Sequence, residues 1–233
     1  HQPRHKQTAK LQPITGQQLM LDTLRANDDV TLVMTGPLTN LAWCLAQDPS
    51  ITKNIKEVVI MGGALDVAGN VQKEFIKATE THEPMTAEWN LFWDSKAAKV
   101  VLEDFPELRI RLFSLDVTDS VPITDEFLLS FGKHFHSCLL TQIGGTIYSL
   151  IAGHTFRTGL PYYAWDALTV AYLLKPSLFE FQERRVRVHT KDPSRGRTEP
   201  LPIDSKESKP ISVATAKLIP KDFYELVLDC LKV

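Results

Sequence analysis

Short apolar runs spaced between segments of helical periodicity constrain this chain more than any other feature. VTLVM (Val30 to Met34) and EVVIM (Glu57 to Met61) are brief and rich in β-branched residues, the pattern of strands buried on both faces. RIRLFSLDVT, from Arg109 to Thr118, reads as a third strand, and further strands lie near RVRVHT and PISVATA. Between them come amphipathic stretches: TGQQLMLDTLRA with Thr15 as cap, GPLTNLAWCLAQ, DSKAAKVVLED capped by Asp94, ITDEFLLSFG, HSCLLTQIGGTIYSLIAG, DALTVAYLL opening on Asp166, and KDFYELVLDCLK. Strands alternating with helices specify βαβ units, hence an open, mostly parallel α/β sheet flanked by helices with a Rossmann-like core. With no internal repeat and no low-complexity linker, residues 1–233 read as one domain. The first dozen residues are polar and expected to fray.

Composition narrows the function. A formal net charge of −2 gives no general affinity for nucleic acid or acidic membranes. The longest apolar runs fall far short of a membrane span, and no secretory segment opens the chain. Cys44, Cys138 and Cys230 are too few and too scattered for a disulfide framework or a cysteine-based zinc site. A reducing, cytoplasmic setting is the expectation. The first residue is His1 rather than Met, which points to a trimmed, processed or partly recorded chain.

Sheets of this kind place ligands at the carboxyl ends of their strands. Three segments lie there: Thr35, then Met61-Gly62-Gly63, then the long connection from Gly62 to Thr86. In TAEWNLFWD, an extended Glu88 to Asn90 puts Glu88 and Asn90 on one side and Trp89 on the other. A carboxylate and an amide together can grip vicinal hydroxyls; the plainer reading is a polar loop edge before a helix. In MGGALDVAGN, the glycines allow backbone to approach a ligand and Asn70 follows, although a Gly-Gly pair also serves a simple turn. The carbonyl of Thr35 in TGPLTN suits a hard cation, or merely begins a turn. Asp166 is suited to an N-cap worth ~1 kcal/mol, or to a rigidly held metal ligand. His154, Arg157, Tyr162, Tyr163 and Trp165 crowd into what reads as a short loop before that helix. Trp165 serves either as core or as a platform for a nucleobase.

In order and wording, VMTGPLTNLAWCL, VVIMGGALDVAGNV, TAEWNLFWDSKAAKVVL, RLFSLDVTDSVPI and YYAWDALTVAYLL resemble the nucleoside hydrolases, enzymes that cut the N-glycosidic bond of ribonucleosides. EWN and YYAWDALT are similar to the purine-specific branch, which prefers inosine, adenosine and guanosine. The resemblance implies a calcium ion held by the Thr35 carbonyl and the Asp166 carboxylate. It implies ribose contacts from Asn70, Glu88 and Asn90, with Met61 lining the sugar pocket. Trp165 would form one wall of an aromatic clamp, and Tyr162 would sit nearby. His154 and Arg157 would lie on a mobile loop and assist the leaving base.

The family begins with a strand carrying an aspartate-rich cluster that supplies the general base and most calcium ligands. That cluster has no counterpart here: Asp28-Asp29 precedes the Val30 strand and reads as a turn. The expectation is therefore the C-terminal two-thirds of a nucleoside hydrolase-like fold, lacking its first βα units and inactive without them. A homo-oligomer, or another chain supplying the segment, would complete it. Two alternatives stay open: a shortened nucleoside-binding relative without turnover, and a partner protein for a full-length homologue.

Overall fold

The computed structural model describes residues 13–76, 81–134, 138–159, 161–215 and 220–231. Helix α1 (Gly16–Ala26) opens on Thr15, whose hydroxyl accepts from the Gln18 N–H at 3.2 Å. Strand β1 (Val30–Met34), helix α2 (Thr39–Gln47) and strand β2 (Ile55–Met61) follow. A long connection leads to α3 (Trp89–Trp93) and α4 (Ser95–Lys99), with the Asp94 carboxylate between them accepting from the Ala97 N–H at 3.0 Å. Strand β3 (Ile110–Phe113) and the short α5 (Leu115–Thr118) come next. The chain then forms α6 (Asp125–His134), α7 (Leu139–Thr158), α8 (Ala167–Leu174), β4 (Glu180–Val188), β5 (Thr198–Leu201), β6 (Pro210–Thr215) and α9 (Pro220–Leu231).

The six strands form one sheet in the order β1-β2-β3-β6-β4-β5. The first four positions are parallel; β4 runs antiparallel to β6, and β5 at the far side runs antiparallel to β4. Strand β2 explains why EVVIM lacks polar alternation: Val58, Val59 and Ile60 are all fully buried, because both faces are covered. Val58 and Ile60 join a cluster with Leu24, Leu41, Leu45 and Leu102. Val59 joins Phe113, Leu168, Ala171 and Phe223 in the opposite cluster. The period of two then carries Met61 to the strand's carboxyl end, beside Ala64 and Leu115.

Two boundaries differ from the sequence reading. The third strand stops at Phe113 because the chain bends there: the Leu115 N–H donates to the Gly63 carbonyl at 2.9 Å, and the Asp116 carboxylate accepts from the Leu65 and Asp66 N–H groups. Helix α7 runs on past Gly153 and ends at Gly159, whose φ of 69° makes it the left-handed stop. A glycine inside a helix costs only about 1 kcal/mol, so Gly153 does not break it. His154 and Arg157 thus belong to the end of a helix, not to a loop. Among the described residues no helix is long and apolar enough to cross a membrane.

Phe113 is fully buried, with ring centroids of Tyr172, Phe179 and Phe181 between 5.1 and 5.8 Å away. Phe113→Ala is expected to cost about 3–5 kcal/mol in urea unfolding. Leu129→Ala, at a side chain 74% exposed, is expected to stay within about 0.5 kcal/mol of the parent.

Candidate active site

The ends of β1 and β2, the long connection and the start of α8 converge on a cavity of about 310 Å³. Thr35, Met61, Asn70, Glu88, Trp89, Asn90, Trp165 and Asp166 line it. Seven of the residues singled out from sequence thus meet in one hollow, drawn from segments far apart in the chain.

Glu88 holds the hollow together. Its Oε1 accepts from the Asn90 N–H at 2.9 Å, and its Oε2 from the Leu91 and Gly63 N–H groups at 3.2 and 3.1 Å. It is the N-cap of α3, so Glu88 to Asn90 is not the extended stretch expected from its alternation. Helical winding brings Trp89 to the cavity as well, where alternation would turn it away. The Asn90 side-chain N–H donates to the Met61 carbonyl at 3.1 Å, which leaves its Oδ1 as acceptor. Asn70 is complementary: its Oδ1 accepts from the Trp89 N–H at 2.8 Å, which leaves its amide protons to give.

Gly69 positions Asn70 by closeness of backbone rather than by an unusual φ. A Cβ there would lie 2.1 Å from the Ala87 carbonyl oxygen, while the neighbouring Asn70 N–H donates to that same oxygen at 3.0 Å. Gly63 is different: its φ of +84° lies in the left-handed region, and this turns its N–H toward Glu88.

Asp166 precedes α8 in helical conformation and makes no side-chain cap bond. Its carboxylate is therefore not consumed by the helix start, and the cavity walls raise its pKa by desolvation. Burial pushes Glu88 up to about 7, against the pull of its three backbone donors and with a further push from Asp166. Thr35 and Asp166 can each give oxygen to a hard cation. Among the described residues no three His, Cys, Asp or Glu side chains gather as a metal cluster.

Trp165 packs on Met61, Ala64 and Leu115. Its indole N–H donates to Asp119 Oδ1 at 2.8 Å, a partner 46 residues away that no sequence pattern marks. The indole also borders a second cavity of about 460 Å³, which includes Asn70, Met85, Asp119, Tyr162 and Tyr163. Tyr162 lies in this second cavity, its ring 4.7 Å from the indole. Arg157 is exposed on α7 and lines neither hollow. The side chain of His154 lies outside the described residues.

Two outcomes follow. Glu88 holds its proton more tightly folded than at its ordinary value of 4.5. The chelator-treated protein should therefore lose stability as pH rises from about 4.5 to 7, by up to roughly 3 kcal/mol. Urea midpoints at the two ends check this, and Glu88→Gln should flatten the difference. Gly69→Ala should cost about 3 kcal/mol or more in the same assay, since the clash is with backbone.

The sequence matches the model of the inosine-uridine preferring nucleoside hydrolases over residues 1–223. It is 34% identical over 185 residues to the pyrimidine-specific ribonucleoside hydrolase RihA of Shewanella woodyi, covering 77% of this chain and 54% of that one. It is 30% identical over 212 residues to the non-specific ribonucleoside hydrolase RihC of Escherichia coli, covering 89% of this chain and 62% of that one. The chain thus spans between about half and two thirds of these relatives. An inosine-uridine preferring nucleoside hydrolase from Bacillus anthracis superposes with a TM-score of 0.83 at 30% identity, over 97% of this chain and 68% of that one. A purine-preferring ribonucleoside hydrolase from Gardnerella vaginalis shares the fold, with a TM-score of 0.77 at 22% identity over 97% of this chain and 69% of that one. By sequence and by fold alike, this chain belongs to the inosine-uridine preferring nucleoside hydrolase family.

Proposed function

We propose that this chain carries the sugar- and base-facing part of a ribonucleoside hydrolase and that its preferred substrates are purine ribonucleosides, namely inosine, guanosine and adenosine. The observation that carries the reading is the convergence of Asn70, Glu88 and Asn90 beside Asp166 and Thr35, with an indole at the rim. Asn70 offers donors, and Asn90 offers an acceptor. This is a set suited to vicinal hydroxyls. Cleavage of the N-glycosidic bond develops positive charge on the ribose, as in other glycosidic transition states. The Glu88 carboxylate lies where it would oppose that charge, held still by its backbone donors. Trp165 offers a flat face to the leaving base, and stacking is worth roughly 1–3 kcal/mol per base. The purine preference rests on this indole; the relatives named above as pyrimidine-specific or non-specific set the contrary expectation. Asp166 and the Thr35 carbonyl would hold part of a calcium site. The chemistry that a bound calcium ion supplies is an anchor for hydroxyls and acidification of water. The general base is expected from an aspartate outside residues 1–233. His154 is proposed to assist the leaving group, and Arg157, exposed on α7 and lining neither hollow, would do so only if that end of α7 rearranged. Strand β1 pairs with β2 alone among the described residues, which supports pairing there with a further copy or a further segment.

Base release from inosine and from uridine, with calcium and with chelator, tests the reading on the native particle after its mass is measured. Calcium-dependent release, faster from inosine, is the expected outcome. Faster release from uridine would replace the purine preference. Nucleoside binding without release would make this a binding protein, and neither would leave a partner role. Asp166→Ala should abolish calcium dependence and reduce release at least a hundredfold, whereas loss of a helix cap alone would cost only ~1 kcal/mol of stability.

A further inference from the structure

We propose that Asp119 is a positioning residue: its carboxylate fixes the plane of the Trp165 indole between the two cavities, and so sets how a nucleobase lies against it. The inference rests on the function proposed above, because it presumes that Trp165 meets a base. The body of the indole touches Met61, Ala64 and Leu115, and the Tyr162 and Tyr163 rings lie 4.7 and 5.7 Å away. The apolar contacts are non-directional, and the ring pairs prefer edge-on geometry without naming a fixed point on the indole. The indole has one polar atom, and its N–H meets Asp119 Oδ1 at 2.8 Å, a directional bond to a charged acceptor.

Asp119 is itself anchored. Its backbone N–H donates to the Leu115 carbonyl at 3.1 Å at the end of α5. Leu115 in turn donates its N–H to the Gly63 carbonyl. The ring is thus referenced to the end of β2, the same backbone that receives Glu88. Asn70 and Trp165 are shared by both cavities, so a turn of the indole would change the shape of each.

Equilibrium binding of inosine and of free ribose, with calcium present, tests this. Asp119→Leu should weaken inosine about fivefold, the worth of one net hydrogen bond, and leave ribose within about twofold. Asp119→Asn keeps an acceptor oxygen and should restore inosine binding. In a Trp165→Phe background, which has no indole N–H, Asp119→Leu should add nothing. If Asp119→Leu does not fold, Asp119→Ala carries the same expectation. Parent-like inosine binding by the acceptor-less variant would overturn the proposal, as would equal loss of ribose and inosine, or failure of Asp119→Asn to restore. A parent protein that binds neither inosine nor ribose would overturn the proposed function itself, and this inference with it.

Discussion

The two sides of the cavity are tied to one residue, Gly63, through the two peptide groups that flank its α-carbon. Its N–H donates to Glu88 Oε2 at 3.1 Å, and its carbonyl accepts from the Leu115 N–H at 2.9 Å. The first bond fixes the start of α3, and with it Asn90. The second fixes α5, and through Asp119 the indole of Trp165. Both need the peptide to turn at the end of β2, and a φ of +84° is what turns it. A side chain there would pay roughly 1–2 kcal/mol and would press on the Thr198 hydroxyl, 3.3 Å from the added carbon. Thr198 is already occupied, bonding both the N–H and the carbonyl of Ala64. Strand β5, distant in sequence, thus steadies the turn that the site depends on.

The scaffold was largely legible in the sequence. Strand β2 announces itself because burial on both faces demands an unbroken apolar run; β1, read the same way, is a strand but only partly buried short of Met34, because it stands at the edge of the described sheet. Thr15 and Asp94 cap the helices they precede. Most of the cavity could be named as well, by resemblance rather than by periodicity: TAEWN alone suggested alternation, and the backbone turns helical from Trp89 on. What stayed hidden has a common cause. The Asp119–Trp165 bond spans 46 residues and the Glu88–Gly63 bond 25, and no local pattern records such pairings. Gly69 was visible as a glycine, but the reason for it is the Ala87 carbonyl across the loop. The extent of α7 was misjudged for a related reason. Gly153 and Gly159 look alike in sequence, and only the backbone angle separates a tolerated interior glycine from a stop.

Two groups of carboxyls in this molecule are shifted in opposite directions. Asp66 grips Arg184 with two hydrogen bonds and Asp48 accepts from Ser50 and Arg25, and these partners hold both carboxyls below their ordinary range. Glu88, Asp119 and Asp166 are all shifted upward instead, because desolvation outweighs their partners. Asp66 and Asp48 thus each have an arginine of the protein beside them. Around the cavity, the groups that oppose the upward shift are backbone N–H donors and one indole. Carboxylates in that state favour ligands that bring positive charge or hydroxyl donors.

The helix starts show how the fold distributes its acids. Among the described residues three carboxylates precede α-helices: Glu88, Asp94 and Asp166. Asp94 accepts from the Ala97 N–H and Glu88 from the Asn90 and Leu91 N–H groups, so both engage the first turn of the helix they open. Asp166 has the same sequence signature and does otherwise, because its backbone is already helical at φ −71° and ψ −35°. An N-cap keeps a non-helical backbone so that its side chain can fold over the first turn, as at Asp94 with φ −141° and ψ 74°. By entering the helix one residue early, Asp166 directs its carboxylate away from the helix's own N–H groups and keeps its charge for the cavity that Glu88 and Asn70 share. A helix-opening aspartate thus caps its helix or leaves its carboxylate uncommitted according to its own backbone angles, and the Ala164 N–H bond to the Val121 carbonyl anchors the segment just before Asp166.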